Sequence, residues 1–170
     1  MNDLIIIAGL TQKTTQMQKI FITITLVIIG GLLYGQQITK GEDGLFYGPD
    51  NNPYTGEYKE FFENGQLRTY MQVKDGLPDG NVMIFFQNGQ QNELRSYKEG
   101  EMHGRWVTWN EQGQKIAEAE YDNGLKHGKW YIWSEDGVLL YDMTYNQGNR
   151  SGTWKMFDHS GALISEKEFD

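Results

Sequence analysis

The sequence predicts an all-β fold, an open single-layer antiparallel β-meander of about five 24-residue hairpin repeats. Three observations support it. Glycines recur at this interval, aromatic residues keep the same interval, and Asn-Gly or Asp-Gly pairs separate short segments rich in aromatic and β-branched residues. Such a period indicates units that bury apolar side chains only by stacking on their neighbours. The units begin at Gly56, Gly80, Gly104, Gly128 and Gly152.

Residues 1–35 precede the repeats and are predicted to be a secretory signal peptide. Lys19 supplies a positive charge, residues 20–33 are apolar, and Gly35 is a small residue before a polar stretch. This apolar run of about 14 residues is shorter than the ~20 that a membrane span requires, although retention as an anchor stays open. Met17 is a plausible second start, so the residues before it are interpreted as a start-site overcall. We therefore expect an exported protein, in the periplasm, in the cell envelope or secreted.

Residues 36–55 form a lead-in segment in which a first strand is predicted over residues 45–54. The irregular Gly-Pro-Asp-Asn-Asn-Pro turn at residues 48–53 interrupts this stretch. The five hairpin repeats then occupy residues 56–170.

Each repeat is predicted to be two strands joined by a tight turn. Pairs such as Asn64-Gly65 supply the positive φ angles that tight hairpin turns require. Links of the form Gly-x-x-x-Gly, as from Gly124 to Gly128, join one hairpin to the next. Five such units give about ten strands.

Two rows of aromatic residues run through the repeats, two and five residues after the leading glycine. Because side chains alternate between the faces of a strand, the two rows are expected on opposite faces. We interpret the first row as mainly structural, and it includes Trp106, Trp130 and Trp154. A single layer cannot bury both faces, so parts of the second row are expected to be exposed. That row is Phe61, Phe85, Trp109, Trp133 and Phe157.

Composition and charge restrict the class of partner. The chain is 38% hydrophobic with a mean hydropathy of -0.62, which is lean for a thick core, but it has 5 Trp, 10 Tyr and 8 Phe that bury large areas each. The net charge is -8, and it becomes -9 without residues 1–35 because these carry Lys13, Lys19 and Asp3. This sign argues against nucleic acid and anionic lipid as general partners. Cysteine is absent, which excludes disulfides and thiolate metal sites.

No catalytic, metal or cofactor site is predicted. His103 and His127 share one repeat position, but equivalent positions in successive hairpins lie about 9.6 Å apart, too far for one zinc ion with bonds of about 2.0 to 2.1 Å. Glu118 and Glu120 are spaced about 7 Å apart along one strand face, a separation that alone would suit glycoside hydrolysis. Similar acidic pairs recur in other units, which is typical of a solvated face. The protein is therefore predicted not to be an enzyme.

The repeat pattern Gly-x-Trp-x-x-aromatic-x-x-x-Gly, as in residues 104–113, resembles the MORN repeat. The Glu-Asn-Gly-Gln-Leu turn at residues 63–67 is similar to the bacterial variant known as the YwqK family of antitoxins. The resemblance covers about residues 43–170 and implies an elongated sheet with a non-enzymatic interaction role; the antitoxin label implies a toxin as partner. Val82 in place of an aromatic and the polar residues 90–93 indicate a distorted second unit.

These observations predict a protein-binding module of antitoxin or inhibitor type, with an envelope glycan-binding module as the alternative. Trp109, Trp133 and Phe157 are the candidate anchors for the partner. Glu118 and Glu120 are expected to select a basic protein. An open sheet also has unpaired edge strands, so a homodimer formed through them stays open.

Overall fold

The computed structural model describes residues 37–170, and the predicted signal peptide lies outside the described residues. Within this range the chain forms twelve β-strands and no helix. The strands are β1 (Thr39–Lys40), β2 (Phe46–Tyr47), β3 (Gly56–Phe61), β4 (Leu67–Lys74), β5 (Leu77–Phe85), β6 (Gln91–Lys98), β7 (Glu101–Trp109), β8 (Lys115–Asp122), β9 (Leu125–Trp133), β10 (Leu139–Asn146), β11 (Asn149–Phe157) and β12 (Leu163–Phe169). Residues 37–170 accordingly contain no helix of the length and hydropathy that a membrane crossing needs.

Strands β3 to β12 form one antiparallel sheet in which neighbours along the chain are neighbours in space. The sheet is open, with β3 and β12 as its edges, so the predicted meander of hairpins is confirmed. Both edges carry charges of both signs, with Glu57 and Lys59 on β3 and Glu166 and Lys167 on β12. Charged edge strands disfavour pairing with another sheet. Homodimerisation through the edges stays a prediction, and these charges weigh against it.

The second repeat has the same register as the other repeats. Strands β5 and β6 pair from Gly80 opposite Tyr97 to Phe85 opposite Gln91, and β7 and β8 pair at the same repeat positions. The expected distortion of this unit is therefore wrong. The turn that ends at Gly89 has the same backbone hydrogen bonds as the other hairpin turns. Turn geometry sets the register of a hairpin, so the missing aromatic at Val82 does not disturb it.

A ladder of stacked aromatic rings crosses one face of the sheet, here called the ladder face. Neighbouring ring centroids are 4.9 to 5.6 Å apart in tilted or edge-on arrangements, which aromatic pairs prefer. The seven rings belong to Tyr97, Trp106, Tyr121, Trp130, Tyr145, Trp154 and Phe169. The first aromatic row thus forms the packing between hairpins.

The tryptophans of the ladder also bind the preceding hairpin by hydrogen bonds. The indole N–H groups of Trp106, Trp130 and Trp154 donate to the carbonyls of Ser96, Glu120 and Thr144 over 2.8 to 3.0 Å. Ser96 lies at the register shift between β6 and β7, where the regular ladder of backbone hydrogen bonds is interrupted. The indole therefore satisfies a backbone carbonyl at an irregular position, which phenylalanine would not do.

The lead-in segment does not add a strand to the large sheet as the sequence suggested. Strand β2 pairs with β1 in a separate two-stranded sheet. The amide of Phe46 donates to the carbonyl of Gly76, and the Phe46 ring lies 5.0 Å from that of Tyr58. Phe46 is 7% exposed and packs in the main hydrophobic cluster of the described residues, with Met71 and Val73. It stacks on Tyr58 as Tyr97 stacks on Trp106, and so covers the first repeat where a preceding repeat would lie.

Two glycines at the same repeat position test the contact of the lead-in segment with the sheet. Gly76 and Gly124 have φ angles of +80° and +78°, so alanine at either costs about 1–2 kcal/mol of backbone strain. A Cβ on Gly76 would lie 3.1 Å from the Phe46 carbonyl oxygen and 3.3 Å from the Leu45 side chain, whereas Gly124 has open space. We expect Gly76→Ala to lower the free energy of unfolding in urea clearly more than Gly124→Ala does. Equal losses would show that the lead-in segment is not packed there.

Candidate binding surface

The predicted anchors lie at strand ends next to the hairpin turns. Trp109 pairs with Lys115 across its hairpin, and Trp133 pairs with Leu139. Both tryptophans and Phe157 are half-buried. In the same row, the edge residue Phe61 is 56% exposed. The rings of the second row are therefore neither a closed core nor a fully exposed ladder.

Two adjoining depressions, here called the turn groove, lie beside Trp109 and Trp133. The first has a volume of about 360 Å³ and is bordered by Trp109, and the second has a volume of about 520 Å³ and is bordered by Trp133. Both are lined by Thr108, Ile116 and Glu135, so they adjoin each other. Ile116 is the extra residue of its hairpin bulge, because Thr108 pairs with Ala117 and Trp109 with Lys115. Phe157 borders neither depression.

Hydrogen bonds between successive turns hold the turns in a row. The side-chain amides of Asn64, Asn88 and Asn110 donate to the carbonyls of Gln87, Glu111 and Glu135 over 3.4 to 3.5 Å. Asn110 is buried, and its side-chain oxygen accepts hydrogen bonds from the backbone amides of Gln112 and Gln114. A buried amide satisfied in this way fixes the turn beside Trp109. The groove is thus bordered by ordered turns.

The rim of the turn groove is acidic. Glu111, Glu135 and Asp136 line it, and Asp158 lies in the next turn. Within residues 37–170, none of these four carboxylates takes part in an ion pair. Hydrogen bonds from the Ser160 hydroxyl and from the Ala162 backbone amide hold the pKa of Asp158 below its usual value. The rim therefore presents uncompensated negative charge at neutral pH.

The two predicted acidic residues of β8 differ in their surroundings. Glu118 accepts hydrogen bonds from Arg105 at 2.6 Å and from Lys115 at 2.5 Å. The bond from Arg105 is the main reason why the pKa of Glu118 is below its usual value. Lys115 in turn lies 5.4 Å from the centroid of the Trp133 ring. Glu120 is exposed. Glu118 is thus neutralised within the sheet and orients Lys115 against an anchor.

Sequence reasoning missed two exposed apolar residues on the ladder face. Ile132 is 38% exposed and Tyr141 is 37% exposed, and they lie opposite each other on β9 and β10. Ile132 also lines the turn groove. Ile132 lies four residues after the leading glycine of its unit, and the same position is Glu60 in the first unit. Because the type of side chain at this position differs between units, the sequence pattern did not indicate an apolar row there.

Three segments of the repeat region match the model of a known family. The family model of the MORN repeat variant matches residues 54–75, 102–123 and 126–147. MORN repeats are in general non-catalytic and often serve as protein- or membrane-binding modules. A search of curated proteins found no match. Within the described residues, no group of three or more His, Asp or Glu side chains could hold a metal ion.

Proposed function

We propose that this chain is an exported, non-enzymatic protein-binding module that takes up a basic segment of its partner in the turn groove. The observation that carries the proposal is the pairing of the groove's aromatic and aliphatic side chains, such as Trp133 and Ile132, with an acidic rim that has no ion-pair partner within residues 37–170. The MORN-variant repeats support a binding role. An antitoxin- or inhibitor-like activity follows from the resemblance to the YwqK family and is part of this proposal.

The groove offers both kinds of contact that a basic segment needs. Glu135 and Asp136 would accept charge-assisted hydrogen bonds from lysine or arginine. Trp109 presents aromatic surface to the aliphatic stems or to the cations themselves, and Trp133, which already has Lys115 over its ring, presents apolar surface to the stems. Phe157 would contact the partner beyond the groove. Because the rim lies at the surface, its charges should mainly steer association and set salt dependence.

The experiment combines capture with matched charge variants. The tagged full chain is used to recover partners from the envelope fraction at low salt, and the affinity of each recovered protein is then measured. The double variant Glu135→Gln, Asp136→Asn should weaken binding by about tenfold or more and flatten the salt dependence. The double variant Glu42→Gln, Glu101→Gln removes the same charge from exposed positions that do not line the groove. Equal effects of the two variants, or no basic partner at all, would refute the proposal.

Glycan binding is the second candidate because polar groups border the Trp109 ring. Asn92, Glu111 and Gln112 line the same depression and offer hydrogen bonds to sugar hydroxyls beside an aromatic surface. Binding of purified envelope glycan that is unaffected by salt and lost in Trp109→Ala would favour this function over a basic protein partner.

A further inference from the structure

A second pocket lies on the ladder face between the last hairpins, and none of its lining residues lines the turn groove. It has a volume of about 250 Å³. Its apolar lining comes from Tyr141, Met143, Trp154, Met156 and Phe169. Arg150, Lys155, Ser165 and Lys167 also line it. An apolar cavity bordered by cations is unexpected in a chain with a net charge of -8.

Two of the cations are held by rings of the ladder and lack an anion. The Arg150 guanidinium carbon lies 4.8 Å from the centroid of the Trp154 ring and 5.5 Å from that of Phe169. The Lys167 ammonium lies 4.9 Å from the Phe169 centroid. Among residues 37–170, neither cation has an ion-pair partner, whereas Lys155 lies 3.7 Å from Glu166.

In the second repeat, a cation that lies over a ladder ring has a carboxylate as its partner. Arg95 occupies the same repeat position as Lys167, and it lies 5.4 Å from the centroid of the Trp106 ring. The Glu93 carboxylate, two residues earlier in the strand, accepts a hydrogen bond from Arg95 at 2.5 Å. In the last repeat the position of Glu93 is taken by Ser165, which lines the pocket. The fifth repeat therefore has the cation and the aromatic ring but not the carboxylate.

We propose that this pocket binds a small carboxylate with an apolar body. The carboxylate of the ligand would take the place that Glu93 holds in the second repeat, bound by Lys167 and Arg150 and by the Ser165 hydroxyl. The apolar body would lie against Met143 and Met156. A free aryl or alkyl carboxylate and the carboxyl terminus of a peptide that ends in an apolar residue share this chemistry. This proposal does not rest on the partner proposed for the turn groove.

Calorimetric titration of the full chain tests the site with 3-phenylpropionate and its neutral analogue 3-phenylpropanamide. The carboxylate should bind at least tenfold more tightly than the amide, because charge-assisted hydrogen bonds exceed neutral ones. Arg150→Gln and Lys167→Gln should each weaken carboxylate binding by about tenfold. Lys126→Gln removes a ladder cation that does not line the pocket and should leave binding unchanged.

Ser165→Glu is the sharpest variant because it restores the residue of the second repeat. Ser165 is exposed on the edge strand, so the fold should tolerate the change. The new carboxylate should pair with Lys167 and abolish binding of the ligand. A short peptide ending in free phenylalanine, compared with its amidated form, distinguishes a peptide terminus from a free small molecule as the source. Absence of 3-phenylpropionate binding by the unmodified chain, equal binding of the amide, or retained binding in Ser165→Glu would each overturn the proposal.

Discussion

Replacing Trp106 with alanine is expected to lower the free energy of unfolding by about 3–5 kcal/mol. Its ring lies between those of Tyr97 and Tyr121, at centroid distances of 5.6 and 4.9 Å, and its indole N–H donates to the Ser96 carbonyl. The substitution removes both ring contacts and leaves that carbonyl without its donor. Chemical denaturation of the full chain measures the change.

The control for this prediction is Phe61→Ala at the sheet edge. Phe61 is also an aromatic residue of a repeat, but its side chain is 56% exposed and its strand has one neighbour only. Its loss should cost about 1 kcal/mol or less. Trp106→Phe should lie between the two, because an aromatic ring remains between Tyr97 and Tyr121 while the hydrogen bond and part of the ring area are lost. A similar small cost for Trp106→Ala and Phe61→Ala would contradict the role of the ladder as the packing between hairpins.

Phe46→Ala is expected to lower the free energy of unfolding by a similar amount, about 3–5 kcal/mol. The ring is 7% exposed and packs against Tyr58 and Met71 at the open end of the sheet. Without it the first hairpin has an uncovered apolar side, so its backbone amides should exchange hydrogen faster than those of the central hairpins. Leu163→Ala at the other edge, where the side chain is 53% exposed, should change neither quantity appreciably. Unchanged exchange in β3 and β4 would show that the lead-in segment does not cover the sheet.

The repeat architecture follows from the sequence because the same short-range signals occur five times. Turn pairs such as Asn64-Gly65 and the glycine links fix each hairpin locally, so the strand order needs no long-range information. The role of Phe46 was not predictable in this way. Phe46 packs on Tyr58 as the closing aromatic of one repeat packs on the next repeat. An irregular turn separates it from the first repeat, so it does not follow the 24-residue period, and only the contact with Tyr58 shows that it has this role.

The binding surface is predictable only in part. The period places Trp109 and Trp133 in one row, and the structure puts both beside the turn groove. The groove itself depends on a bulge at Ile116, whose direction the sequence does not give. Glu118 is neutralised because Arg105 lies near it on the neighbouring strand, and the sequence of one strand does not show which residues of the next strand lie near it. Both features depend on the register between neighbouring strands, which the sequence alone does not specify.

The central claim is that a basic partner binds in the turn groove. Hydrogen exchange of the full chain, measured with and without the captured partner, tests it most directly. The account predicts protection of residues 108–117 and 134–138, which contain the acidic rim and Ile116, with little change in strands β3 and β12. Protection confined to the edge strands, with none in these turns, would contradict it.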